Sequence, residues 1–299
     1  MRRVVFSFLA LLLCSVASAD EKQPRPRILG ISRVQFYSTN IAAARGFYSQ
    51  VLHPEGECLW CEEIPRSPLG IMLSLNQMLT LSTAQGTPPS NLLSEIDFAV
   101  EDVEVLKSYF VANKVAFSED KKNYFVSLND PEGHRVGFLA RQAHATQGLP
   151  SIKAMQLIHA GFVVRDLAAE DKFYKDLLGF HVYWHGGMKD GEDNWVDMQV
   201  SDGTDWIEYM LNVPENASHK TLGVMNHIAL GVPDIHAAQA QLIKNGWKGT
   251  EEPKIGRDGK WQLNLYDPDD TRVELMEFKP TKEPCCSPYT GPHPGPSTC

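Results

Sequence analysis

The strongest constraint on the fold is a pattern of strand, helix and further strands that recurs four times. Two copies of one helix ending reveal it, Phe47-Tyr48-Ser49-Gln50-Val51-Leu52 and Phe173-Tyr174-Lys175-Asp176-Leu177-Leu178. Two copies of a turn before an apolar strand do the same, Asn129-Asp130-Pro131-Glu132-Gly133 and Tyr266-Asp267-Pro268-Asp269-Asp270. Both turns are built from residues with turn chemistry. The strands alternate and the helices have a 3.6-residue period, so each pair of units predicts one α+β domain. The first pair occupies residues 28–141 and the second 155–279. Residues 142–154 carry no periodicity and read as a linker, whereas 280–299 form a Pro- and Gly-containing tail expected to lie outside any core.

Residues 1–19 have the layout of a signal peptide: Arg2 and Arg3, an apolar stretch from Val4 to Val16, and Ala17-Ser18-Ala19 as the cleavage site. The apolar stretch is too short for a good membrane span. The expectation is an exported protein, periplasmic or secreted, without a membrane span. The net charge is -9 and no basic cluster is present, which argues against nucleic acid or an anionic membrane as partner.

Cys14 leaves with the leader, so Cys58, Cys61, Cys285, Cys286 and Cys299 remain. That odd number leaves a thiol free or paired between chains. Cys58 and Cys61 have zinc or redox spacing, but on a strand they face opposite sides. Cys285-Cys286 is open to three readings: a bridge to Cys58 or Cys61, an adjacent-residue disulfide, or a soft-metal site.

Two strands carry a single histidine each, His159 and His227, and each is answered by a glutamate in a later apolar strand, Glu208 and Glu274. The separations, 49 and 47 residues, nearly match. A lone strand histidine is ordinarily a core residue, and an unpaired buried carboxylate is costly. Four such residues at matching repeat positions point to one divalent metal instead. Two nitrogens and two carboxylates suit Zn, Ni, Co, Mn or Fe(II) better than Ca or Mg. Alternation along the strands puts Val163, Trp206, Met210 and Met276 on the face of the ligands, as apolar walls for a small-molecule substrate. In the N-terminal half the matching positions are Arg33, Thr80, Glu95 and Gly137, a set that cannot hold a metal.

With its paired strand–helix–three-strand units, its Asp-Pro-Glu-Gly turn and its His-Ile-Ala-Leu strand, the chain resembles the vicinal oxygen chelate superfamily. That group includes glyoxalase I, methylmalonyl-CoA epimerase, fosfomycin-resistance proteins and extradiol dioxygenases. The resemblance covers nearly all of residues 28–279. It implies two glyoxalase-like domains of paired βαβββ units, the first degenerate and the second holding the metal in a cup. Units pair within one chain or exchange between two copies in a homodimer.

By ligand pattern the resemblance is to glyoxalase I. This implies a lyase or isomerase working through a metal-chelated enediolate, with Glu274 as base and Glu208 as the symmetric candidate. An extradiol dioxygenase with Fe(II) on His159, His227 and Glu274 is the alternative. Against it, Glu208 fills a position that O2 would need, and the family's acid–base tyrosine falls at Asn264. The third reading is a non-enzymatic binder of a chelating compound, as in bleomycin-resistance proteins. Of the glyoxalase I residues that hold glutathione, an asparagine is matched by Asn212, but an arginine is replaced by Val163. The implied substrate is therefore something other than the methylglyoxal–glutathione adduct.

Overall fold

A computed structural model describes residues 24–52, 69–140 (except 75, 85 and 123) and 155–296. The leader, the linker, Cys58, Cys61 and Cys299 lie outside the described residues.

The first unit comprises β1 (Ile28–Ser38), α1 (Ile41–Arg45) continued by a π-helical stretch Gly46–Leu52, β2 (Leu69–Ser74) and β3 (Gln77–Thr83). The second comprises β4 (Leu93–Val100), α2 (Val103–Ala112), β5 (Ser118–Asp120), β6 (Phe125–Asn129) and β7 (Arg135–Ala140). They merge into one sheet of seven strands among the described residues, in the order β2-β3-β1-β4-β7-β6-β5.

The third unit runs through β8 (Gln156–Val163), α3 (Leu167–Glu170) with its π-helical continuation Asp171–Leu177, β9 (His181–Gly186), β10 (Trp195–Gln199) and β11 (Trp206–Met210). A short helix α4 (His219–Met225) leads to the fourth: β12 (His227–Val232), α5 (Ile235–Lys244), β13 (Lys254–Ile255), β14 (Trp261–Tyr266) and β15 (Arg272–Glu277). Their eight strands are ordered β13-β14-β15-β12-β8-β11-β10-β9. In both sheets the first strands of the two units pair antiparallel at the centre, and each is flanked in parallel by the last strand of its own unit. The fold is thus α+β with two domains of paired strand–helix–strands units, and the strands of the C-terminal sheet all come from one chain.

Each unit starts its helix in the same way. Asn40, Asp102, Asp166 and Asp234 are the N-caps, and each side chain accepts a hydrogen bond from a backbone N–H in the first turn. Both sheets and the helices share one core, which includes Phe36, Tyr48, Phe98, Phe162, Tyr174 and Tyr209. No helix among the described residues is long and apolar enough to cross a membrane.

Ser218 caps α4 and the helix runs through Met225, so the strand that carries His227 begins at that residue. Asn226 ends that helix: its Nδ2 donates to the Leu222 carbonyl (2.8 Å) while its Oδ1 accepts from Val163 N (3.1 Å). The tail from Pro280, expected outside the core, packs Cys285 and Tyr289 against buried Tyr183, Trp184 and Trp206. Cys285 and Cys286 are disulfide-bonded to each other.

Candidate metal centre in the C-terminal domain

The four central strands β15, β12, β8 and β11 carry Glu274, His227, His159 and Glu208 respectively. Pairing puts Ala229 opposite both His159 and Glu274, and Gly161 opposite both His227 and Glu208. This staggered register is what gathers four side chains from four strands at one point. The two Nε2 atoms of His159 and His227 lie 3.1 Å apart. Glu208 Oε2 is 3.1 Å from His227 Nε2 and 3.9 Å from His159 Nε2. Glu274 Oε2 is 3.8 Å from His159 Nε2 and 3.9 Å from His227 Nε2.

Gly161 is part of the arrangement. A Cβ there would lie 2.1 Å from His227 Cε1, so only glycine leaves room for the ring. His227 Nδ1 donates to the Met225 carbonyl at 3.0 Å, which fixes the tautomer and leaves the Nε2 lone pair aimed inward.

The residues fit a divalent ion. Metal–ligand bonds of about 2.0–2.2 Å place neighbouring donor atoms roughly 3–4 Å apart, the spacing seen among His159, His227 and Glu208, with Glu274 at similar distances from both histidines. Burial, with the charge of Arg272 next in effect, holds His227 well below its ordinary pKa. Burial does the same to His159, aided by His227, Arg272 and Lys260 and opposed by Glu208. Neutral imidazole is the form that ligates.

Burial raises Glu274 to about 7, with Glu208 and Asp258 adding to the rise and Arg272 opposing it. Burial and Glu208 also push Asp197 well up. Four carboxylates, Asp197, Glu208, Asp258 and Glu274, thus face two cations, Lys260 and Arg272. A bound divalent ion would favour the ionised carboxylates and offset their charge.

Residues 156–275 match the model of the Glyoxalase/Bleomycin resistance protein/Dioxygenase superfamily. That stretch is the C-terminal domain, which is similar to this superfamily. A lactoylglutathione lyase of Haemophilus influenzae is 28% identical over 130 residues, 43% of this chain and 96% of that protein. A probable chloroplastic lactoylglutathione lyase of Arabidopsis thaliana is 25% identical over 136 residues, 44% of this chain but only 38% of that one. Among solved structures, a variant of homoprotocatechuate 2,3-dioxygenase from Brevibacterium fuscum superimposes with a TM-score of 0.62 at 21% identity, covering 85% of this chain and 72% of the other. The Arthrobacter globiformis enzyme of the same name gives 0.59 at 19% identity, covering 85% and 81%. These two show a shared fold.

Within this vicinal-oxygen-chelate domain the walls divide into two groups. Trp206 and Met276 belong to one buried apolar cluster, with Tyr183, Trp184 and Phe278. Val163 and Met210 belong to another, with Leu222 of α4. Asn212 does not point into the cup: it is exposed, and its Nδ2 donates to the Asp193 carbonyl at 2.9 Å.

Sequence reasoning passed over two residues. Arg272 Nη2 lies 2.5 Å from His227 Nε2 and 3.9 Å from Glu208 Oε2, so its guanidinium competes for the lone pair a metal would use. Its signal was available, since it sits two positions before Glu274 on an alternating strand. Lys260, fully buried against Trp206, comes from the β13–β14 turn, which strand periodicity does not reach.

The N-terminal domain repeats the same register with other residues. Gln35 faces both Thr80 and Glu95, and Asp97 faces both Arg33 and Gly137. Arg33, Thr80, Glu95 and Gly137 thus occupy the ligand positions. Arg33 binds Asp97 (2.6 Å) and Glu95 (3.2 Å), and Arg135 binds Glu95 (3.1 Å). Ion pairs within the chain fill the place of the metal.

Proposed function

We propose that the chain is an exported, divalent-metal-dependent lyase or isomerase of the glyoxalase type, acting on a small oxygenated substrate. The observation that carries this reading is the convergence of His159, Glu208, His227 and Glu274 at one buried point. Export rests on the secretory pattern of residues 1–19.

His159, His227, Glu208 and Glu274 would hold the ion, which when bound would supply Lewis-acid polarisation of two neighbouring substrate oxygens and so acidify the adjoining C–H bond. Glu274 Oε2 takes the proton and is placed to return it to the neighbouring carbon, and Glu208 Oε2, on the other side of the histidine pair, is the symmetric candidate for this role. The apolar clusters around Trp206 and Met210 exclude water from this exchange. Val163 is buried and aliphatic and Asn212 is turned to Asp193, so neither clamps a glutathione carboxylate. The substrate is accordingly something other than the glutathione adduct of methylglyoxal.

A dioxygenase reading uses His159, His227 and Glu274 alone. Against it, Glu208 lies closer to His227 Nε2 than Glu274 does, and Asn264 stands across from Glu274 with its Oδ1 unpartnered among the described residues. Assays of metal-loaded protein with the methylglyoxal hemithioacetal of glutathione, and separately with catechols under air, test these points. Efficient turnover of the hemithioacetal would make this an ordinary glyoxalase I. Oxygen uptake with a catechol would put the dioxygenase reading first.

A further inference from the structure

We propose that residues 280–296 form a strap that plugs one end of the cup and restricts the substrate to a compact molecule, an inference that rests on the metal-centred function above. The strap joins opposite edges of the curled sheet. At one edge, Thr281 N donates to the Gly259 carbonyl (2.9 Å) and Cys285 N to the Arg257 carbonyl (2.8 Å), both in the β13–β14 turn. At the other, Thr290 N donates to the Tyr183 carbonyl (3.0 Å) and His185 N to Ser287 Oγ (2.9 Å), both on β9. Gln199 Nε2 of β10 adds a bond to the Pro292 carbonyl (2.9 Å). Strands β13 and β9 are the two ends of the sheet, so the strap spans the whole mouth on this side.

Beneath it the space is filled. Tyr289 packs against Tyr183 in a tilted arrangement with centroids 4.7 Å apart, and its hydroxyl donates to the Asp258 carbonyl at 2.8 Å. The Lys260 ammonium lies 4.4 Å from the Trp206 ring and 5.2 Å from each of Tyr183 and Tyr289, with no hydrogen-bond partner among the described residues. Trp206 in turn lies against the His159 ring, 4.9 Å between centroids. A molecule chelated at the histidines therefore meets a solid wall on the strap side.

Helix α4 closes the other end through Leu222, packed on Val163 and Met210. At the level of the ligands, exposure remains at Glu208 (14%) and Arg272 (15%). The cup admits a vicinal-oxygen compound with little carbon beyond the chelating pair.

The test uses full-length, Co2+-loaded protein and two hydroxamates, acetohydroxamate and octanohydroxamate, each presenting neighbouring oxygens to the metal. The visible Co2+ spectrum reports binding without turnover. A longer alkyl chain ordinarily strengthens binding to an apolar site. Here the wild type is expected to bind octanohydroxamate about tenfold or more weakly than acetohydroxamate, which corresponds to about 1.4 kcal/mol. Tyr289→Ala should recover that factor for the long ligand and change the short one by less than about twofold. Tyr289→Phe keeps the ring and should behave as wild type, and Tyr289→Leu should show a partial gain even where the alanine variant folds poorly.

Equal wild-type affinity for the two ligands, or a uniform loss in the alanine and leucine variants, would overturn the strap's role. A wild-type Co2+ spectrum unmoved by either hydroxamate would overturn the metal-centred function itself, and the strap's role with it. That failure is recognisable before any variant is compared.

Discussion

Tyr48 and Asp267 are 219 residues apart in the chain, yet the phenol of the first unit's helix donates to the acid of the fourth unit's turn at 2.9 Å. The mirror pair is Tyr174 in the third unit and Asp130 in the second, at 3.1 Å. The second acid of each turn completes the contact: Asp269 accepts from Ser38 Oγ and Thr39 N, and Glu132 accepts from Arg165 N and Asp166 N. Removing one phenol takes a donor from a buried carboxylate that keeps other partners. Tyr48→Phe and Tyr174→Phe are each expected to cost about 1–3 kcal/mol, and the double variant close to their sum. Urea unfolding checks this; losses under about 0.5 kcal/mol would reduce these contacts to incidental ones.

Glu170 supplies a pH dependence at the same interface. It is fully buried; one oxygen accepts from Glu132 N at 2.9 Å, and the other has no partner among the described residues. Burial, then the nearby Asp130, raises it to about 8. The unfolded value is about 4.3, so the folded state holds this proton more tightly. Its contribution to stability is fully present below about pH 4 and is lost as pH rises through about 8, with a slope of at most about 1.4 kcal/mol per unit. Glu170→Gln should flatten the decline of unfolding free energy between pH 5 and 8 by a measurable part of that slope. Identical pH profiles for the two proteins would show that Glu170 ionises freely in the folded state.

Substitutions at the proposed centre should separate holding the metal from using it. His227→Ala is expected to abolish metal binding, while Arg33→Ala and Glu95→Ala leave stoichiometry unchanged. Glu274→Gln should retain most of the metal, since an amide oxygen still coordinates, and lose about 10²–10⁴ in turnover. Metal analysis and kcat on the same preparations decide it. Full occupancy in His227→Ala would sink the site, and wild-type kcat in Glu274→Gln would transfer the base to Glu208.

Gly161→Ala offers a test by shape alone. The added methyl would collide with the His227 ring, and overpacking of this kind costs about 1–3 kcal/mol. The expected result is a folded protein, by circular dichroism, whose metal affinity drops at least about tenfold. Unchanged affinity would mean that the ring has room to shift.

Repeats made much of this legible in the sequence. The Phe-Tyr helix ends and the Asp-Pro turns marked four units, and alternation put His159, Glu208, His227 and Glu274 on facing positions. What these motifs do for one another was hidden, because a Tyr48–Asp267 contact joins the first unit to the last and leaves no local trace. A 3.6-residue period also could not show that Tyr48 and Tyr174 sit in π-helical stretches. The tail was misjudged for a related reason: Pro and Gly exclude regular structure but not a strap held through its backbone. Arg272 was readable from its strand face, whereas Lys260 depended on how a turn folds back over Trp206.

The Arg33–Glu95–Asp97–Arg135 cluster has a consequence for how the two halves come to completion. One half receives its central positive charge during synthesis, as part of the polypeptide. The other, under the proposed function, must gather its own from the surrounding solution. The N-terminal half is thus finished when translation ends, and the C-terminal half only when it has met its ion.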